Sequence, residues 1–215
     1  KESLKERSNW VKKLPNMTKI QRFYLPVYKG RSRNKFVLYA GVKLYEILAG
    51  SYSLGKSKIH SKRETLEANP SLKPVGLTGS VSYVDVQMDD YRIAEWLKNQ
   101  ALNKGIILKE NHEVRSFSKD GSLKTSSSSS ENYDFIINAA GPWTKELLNK
   151  NSINSKFDMS LVRGSHLIVN LKIQYPLVLQ SEKDGRIIFM LPLDNLCLIG
   201  TTEYKHLIKD PIVCT

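Results

Sequence analysis

Asn138-Ala139-Ala140-Gly141-Pro142-Trp143 decides the reading of this chain. It follows a mostly apolar segment, Tyr133 to Ile137, that predicts a strand, and it opens a helix predicted from Pro142 to Lys150. Small residues at a strand-to-helix turn let the backbone approach a bulky planar or phosphorylated ligand. The helix N-terminus beyond them offers oriented N–H groups and a partial positive charge. Proline suits the first helical turn, where its missing N–H costs nothing. Two further motifs lie downstream: Arg163-Gly164-Ser165-His166 in a strand-like run, and Gly200-Thr201-Thr202-Glu203. Each alone is weak; their order carries the weight.

Composition sets the frame. A chain of 215 residues, 40% hydrophobic and 25% charged, suits one substantial core or two modest ones. The first residues, Lys1 to Arg7, are polar and helix-prone and do not form the apolar centre of a secretory signal. No stretch approaches the ~20 apolar residues of a membrane span. The nearest, Phe36 to Ala49, is interrupted by Lys43 and Glu46. Its apolar residues cover most of the helix circumference, which predicts a helix buried between layers; an interfacial helix touching lipid is the alternative. Cys197 and Cys214 lack metal-ligand spacing, and the histidines at 60, 112, 166 and 206 form no cluster, so no metal is expected. Cys197, in an apolar run, reads as a buried reduced thiol, which fits cytosolic chemistry.

The formal charge of +12 calls for negative partners. Basic residues are scattered, with concentrations from Lys29 to Lys35 and Lys56 to Arg63, and no nucleic-acid-binding motif accompanies them. A solvated basic surface or attraction to an anionic membrane face accounts for the charge; nucleic acid does not.

Along the chain, Leu4 to Leu14 predicts an amphipathic helix stopped by Pro15, and Ile20 to Tyr28 an extended segment around Pro26. Ser51 to Ser80 reads as loop with one short helix near Lys62 to Ala68. Asp89-Asp90 caps a helix reaching about Lys104, with Ile93, Trp96, Leu97 and Ala101 on one buried face and Gly105 ending it. Ile106 to Lys109 and Glu113 to Phe117 predict short strands, and Thr125 to Ser130 the tip of a surface hairpin. From Ser160 onward, branched apolar runs separated by turn residues predict a mostly antiparallel sheet.

These residues resemble the FAD-dependent glycerol-3-phosphate dehydrogenases. The resemblance runs through Glu6-Arg7, Arg22 to Gly30, Gly41 to Gly50, Asp85 to Arg92, Asn138 to Trp143, Arg163 to His166, Asp184 to Phe189 and Gly200-Thr201-Thr202. It implies an α/β FAD-binding flavoprotein of the D-amino-acid-oxidase and glutathione-reductase type, with a mostly antiparallel sheet on the substrate side. Family members open with a Gly-rich dinucleotide turn, yet none of the 12 glycines here gives GxGxxG. The chain therefore looks like the middle of such an enzyme. Residues 1–150 are expected to be part of the FAD domain, with a helical and loop insertion at about 15–85, and residues 151–215 part of a substrate domain. The implied reaction oxidises sn-glycerol 3-phosphate to dihydroxyacetone phosphate, with electrons passing to quinone at the inner face of the cell membrane. The alternatives are a glycerol-3-phosphate oxidase using dioxygen, and a non-catalytic basic remnant. The fragment alone is expected to be inactive.

By the same resemblance His166 is the catalytic candidate, because losing hydride from C2 requires the C2 hydroxyl to lose its proton, and a neutral imidazole suits that transfer. A strand histidine satisfied by backbone groups is its competing reading. Arg163 reads equally as a phosphate-holding cation or a surface salt bridge, and Arg186 as a substrate contact or a hairpin brace. Thr201 and Thr202 bond substrate or end a strand. For the cofactor, Ala139, Ala140 and Gly141 are expected close to FAD, and Val114 to offer backbone groups to adenine. Trp143 is expected to pack under the turn, and Asp85 and Asp90 to fix turns and cap the following helix.

Overall fold

The computed structural model describes residues 2–30, 33–127 and 130–214. The chain divides into two compact units, residues 1–97 with 165–201, and residues 98–164 with 202–215.

The first unit is built on a long antiparallel pair. β1 (Thr18–Tyr28) and β3 (Leu77–Met88) run in register from Thr18 opposite Met88 to Val27 opposite Gly79, with a shift before Tyr28. Residues 15–85 were expected to hold an insertion of helices and loops. Within those bounds the extended segment expected at Ile20 to Tyr28 forms as part of β1, and most of β3 lies there as well, because branched and aromatic residues such as Val81 and Tyr83 outweigh the local Ser and Gly content. β2 (Lys58–His60) pairs with β3. β2 passes so close to Gly79 that a Cβ there would lie 2.2 Å from the His60 carbonyl oxygen, and Gly79 takes φ +135°. β8 (Leu167–Val169), β9 (Leu177–Gln180), β10 (Ile187–Leu193) and β11 (Leu196–Gly200) complete a seven-stranded sheet in the order β2-β3-β1-β9-β10-β11-β8. Every pairing is antiparallel except β1 with β9, where Tyr24 stands opposite Leu177. Phe23, Tyr24, Val27, Leu77, Val81, Leu177 and Cys197 are buried in it, Cys197 as the inert thiol that its apolar neighbours imply.

Four helices accompany this sheet. α1 (Glu2–Lys13) is tied in by Arg7, whose Nη1 donates to Asp85 Oδ1 (3.0 Å) and Tyr45 Oη (2.8 Å). The Tyr45 hydroxyl in turn donates to Asp85 Oδ2 at 3.1 Å, and burial followed by the Asp85 charge raises its pKa. α3 (Lys62–Ala68) begins with a capping box between Ser61 and Glu64. Its buried Thr65 hydroxyl bonds Ser80 Oγ at 2.8 Å, locking the helix to β3. α4 (Asp90–Asn103) is capped by Asp89, whose side chain accepts from Arg92 N–H; it buries Ile93 but leaves Leu97 exposed.

α2 (Lys35–Ala49) forms where its apolar run predicts, but it does not lie between layers. Only Ala49 is buried, and Phe36 and Ile47 are 73% and 65% exposed. The sheet takes one side of the helix, and no second layer covers the other among the described residues.

The second unit has little regular sheet. β4 (Val114–Phe117), β5 (Ser122–Thr125) and β6 (Ser130–Asn132) form an antiparallel ribbon, while β7 (Val162–Arg163) pairs with β12 (Tyr204–Lys205). The expected hairpin tip falls between β5 and β6, with Ser128 and Ser129 outside the described residues. The strands expected at Ile106 to Lys109 and Tyr133 to Ile137 do not form. Phe135 and Ile137 are 90% and 88% exposed. Apolar runs become strands only when a neighbour completes their ladder, and neither run has a partner strand among the described residues.

Candidate functional site

The His166 imidazole stands at the edge of the large sheet. It precedes β8, which pairs with β11 from Leu167 opposite Ile199 to Val169 opposite Cys197. That register brings the ring over Gly200, the last residue of β11, where a Cβ would lie 2.3 Å from His166 Cδ2. Glycine thus leaves the space in which the ring sits. His166 is exposed, so its nitrogens can meet a solute. Beside it, Thr201 Oγ1 donates to the Ser165 carbonyl at 3.5 Å, joining the strand end to the histidine segment. Gly200, Thr201, Ser165 and His166 form one local constellation. Sequence reading ranked the two motifs separately; the antiparallel register that joins them was not legible.

Arg186 lies at the turn between β9 and β10 as a brace. Its Nε is 3.1 Å from Asp184 Oδ2, its N–H donates to Asp184 Oδ1 at 3.3 Å, and its carbonyl accepts from Ser181 N–H. The Ser181 hydrogen bond, ahead of the Arg186 contacts, lowers the Asp184 pKa. This geometry supports the hairpin role over direct substrate contact. Arg163, in the second unit, stands opposite Tyr204 and donates from Nη1 to the Pro211 carbonyl at 2.9 Å. Asp85 does not fix a turn: it lies within β3, and its carboxylate accepts from Arg7 of α1 and Tyr45 of α2, while Asp89 supplies the cap of α4.

The turn that opened the reading lines a cavity of about 740 Å³ inside the second unit. Val114, Ala139 and Ala140 are on its wall, together with Phe117, Ile137 and Trp143. Asn138 shapes the turn: its Oδ1 accepts from Ala140 N–H (3.2 Å) and its Nδ2 donates to the Thr144 carbonyl (3.3 Å). Gly141 takes φ +54°, in open space, and begins a 3₁₀ turn to Trp143 that leads into α5 (Thr144–Lys150). Gly141 is not on the cavity wall, so its contribution is the turn itself. Trp143 does not pack beneath the turn as expected; it is 56% exposed and faces the cavity, since no layer of the second unit covers it among the described residues. Asn151, unremarked in the sequence, accepts the Phe117 N–H at 2.7 Å and so ties β4 to the end of α5.

The cavity suits the planar, partly apolar portion of a dinucleotide. Its volume falls in the range of small-molecule sites, two of its wall residues are alanines whose backbone a ligand can approach, and Val114 brings strand backbone to the same space.

The chain belongs to the FAD dependent oxidoreductase family, whose model matches residues 1–212. FAD is the cofactor of this fold, an α/β flavoprotein of the D-amino-acid-oxidase type with a mostly antiparallel sheet. Within that class, the chain is 30% identical over 216 residues to the aerobic glycerol-3-phosphate dehydrogenase of Staphylococcus saprophyticus, covering 94% of this chain and 39% of the relative. In structure it is similar to the glycerol-3-phosphate dehydrogenase of Bacillus halodurans complexed with FAD (TM-score 0.75, 24% identity, 96% of this chain, 38% of that one). It is also similar to the L-alpha-glycerophosphate oxidase of Mycoplasma pneumoniae with FAD bound (TM-score 0.71, 17% identity, 95% and 56%). The chain thus spans about two fifths of the length of the curated relatives it matches.

Proposed function

We propose that this chain is part of an enzyme that oxidises sn-glycerol 3-phosphate to dihydroxyacetone phosphate and passes the electrons to a quinone at the inner face of the cell membrane. The observation that carries the reading is the exposed His166 imidazole seated against Gly200, beside the Thr201 hydroxyl.

FAD, when bound, supplies the acceptor for the hydride leaving C2. His166 accepts the proton of the C2 hydroxyl, which lets the C–H bond break toward a carbonyl. Gly200 keeps room for the ring, and Thr201 holds the strand end next to it. Arg163, whose Nη1 donates to the Pro211 carbonyl, is the candidate cation for the phosphate. In the second unit, Ala139, Ala140 and Val114 hold the cofactor, with Gly141 setting the turn. The oxidase reading rests on the likeness to the Mycoplasma pneumoniae enzyme.

Because the chain spans two fifths of its relatives, these 215 residues alone are expected to retain little FAD and not to turn over. The test is anaerobic mixing of the whole enzyme with glycerol 3-phosphate: bleaching of the flavin band, reversed by a quinone analogue without hydrogen peroxide release, supports the reading. Peroxide formation selects the oxidase, and absence of bleaching ends the proposal. A stoichiometric flavin spectrum in the 215-residue chain would refute the expectation for the fragment.

A further inference from the structure

The cavity of the second unit draws its walls from segments distant in sequence: Val114 and Phe117 of β4, Asn138 to Ala140 of the turn, and Leu147 of α5. α5 has only seven residues, and a helix that short does not persist in water by itself. An asparagine fastens each of the other two walls to it. At the start of the helix, Asn138 Nδ2 donates to the Thr144 carbonyl. At its end, Asn151 Nδ2 donates to the Leu147 carbonyl at 2.6 Å, while Asn151 Oδ1 accepts the Phe117 N–H at 2.7 Å.

Both Asn151 bonds go to backbone groups that the regular elements leave open. Leu147 lies in the last turn of α5, where carbonyls run out of intrahelical donors. The Asn151 N–H that would reach it in a longer helix turns to the Leu148 carbonyl instead. β4 is the edge of its three-stranded ribbon. Since Ser118 N–H pairs with the Ser122 carbonyl, the Phe117 N–H points to the open side. One side-chain amide supplies the donor and the acceptor together; a carboxylate offers acceptors only, and alanine neither. With α5 as the common reference, the two bonds set where β4, and with it Val114, stands relative to the backbone of Ala139 and Ala140.

We propose that Asn151 is a positioning residue for the cofactor: through Phe117 it holds the β4 backbone in place relative to the Ala139–Ala140 turn, and so sets the affinity for the adenosine half of FAD. This rests on the reading of the cavity as the cofactor's.

The test is titration of the whole apoenzyme with FAD and with ADP, which carries the adenosine half without the flavin. Asn151→Ala is expected to weaken both by the same factor, roughly tenfold. Asn151→Asp keeps an acceptor for the Phe117 N–H but sets a negative charge at a helix C-terminus, which lowers stability. In salt that screens this charge from the ligand, it is expected to bind FAD more tightly than Asn151→Ala although it melts no higher. Asn149→Ala, exposed on the same helix and away from the cavity wall, should keep parental affinity. FAD affinities that simply follow the melting temperatures, a loss for FAD that ADP does not share, or an equal loss in Asn149→Ala overturns the positioning role. Ala140→Phe checks the underlying reading, because its ring fills the cavity. If that variant binds FAD as the parent does, the cavity is not the cofactor's and the proposal falls with it. Loss of FAD in Ala140→Phe beside parental affinity in Asn151→Ala strikes out Asn151 alone.

Discussion

A Cβ on Gly200 would lie 2.3 Å from Cδ2 of His166, closer than any real contact of that kind. Two motifs 34 residues apart in sequence are therefore one structural feature, since the absent side chain of one defines the seat of the other. The seat lies at the exposed edge of the sheet, where a change of ring position costs little packing.

Gly200→Ala is accordingly expected to displace the imidazole with little loss of fold. Flavin reduction by glycerol 3-phosphate in the whole enzyme should slow on the order of 10²-fold, and His166→Ala should slow it by about 10²–10⁴-fold. Stopped-flow absorbance gives the rate and a thermal melt gives the fold. An unchanged rate in His166→Ala removes that residue from the chemistry.

Asn138 holds the cofactor-side turn at two points, Ala140 N–H and the Thr144 carbonyl. Asn138→Ala removes both bonds, at about 0.5–1.5 kcal/mol each, and frees the backbone of Ala139 and Ala140. FAD affinity of the whole enzyme should fall by roughly tenfold or more, measured by equilibrium titration of apoenzyme. Retention of parental affinity would show that the turn does not position the cofactor.

Arg7→Ala should destabilise the first unit, because it leaves Asp85 and Tyr45 without their shared cation. The Arg7 side chain is 10% exposed and that of Asp85 25%, so the expected loss is about 2–3 kcal/mol, below the figure for a wholly buried pair. Urea denaturation gives the number, and a loss below about 0.5 kcal/mol would reduce the pair to an ordinary surface contact.

Glu46 should contribute to the acid limb of stability. Its hydrogen bond from Lys43, then that from Ser57 N–H, pulls its carboxyl from 4.5 down to about 2. A carboxyl whose folded pKa is depressed stabilises the fold above its unfolded value and loses that contribution as pH falls through the folded one. Glu46→Gln should therefore be less stable than the parent at neutral pH, with the gap closing between pH 4.5 and about 2. Denaturation midpoints across that range test it; a gap independent of pH would assign the effect to packing.

The sequence by itself determined the local elements whose causes are local. The breaker Pro15, the Asp89 cap and the apolar run from Phe36 place α1, α4 and α2, and the Asn138 to Trp143 turn marks a backbone open to a ligand. What pairs with what was decided only in the tertiary structure. Tyr133 to Ile137 carries a strand's composition and forms none, because a ladder requires a neighbour that composition does not encode. Ile20 to Tyr28 read as extended, but its partner did not show in the sequence: β1 and β3 found one another across some sixty residues. The exposed side of α2 and the seat of His166 on Gly200 have the same origin. Hydrophobic pattern records which residues avoid water; three-dimensional packing assigns the surface each one meets.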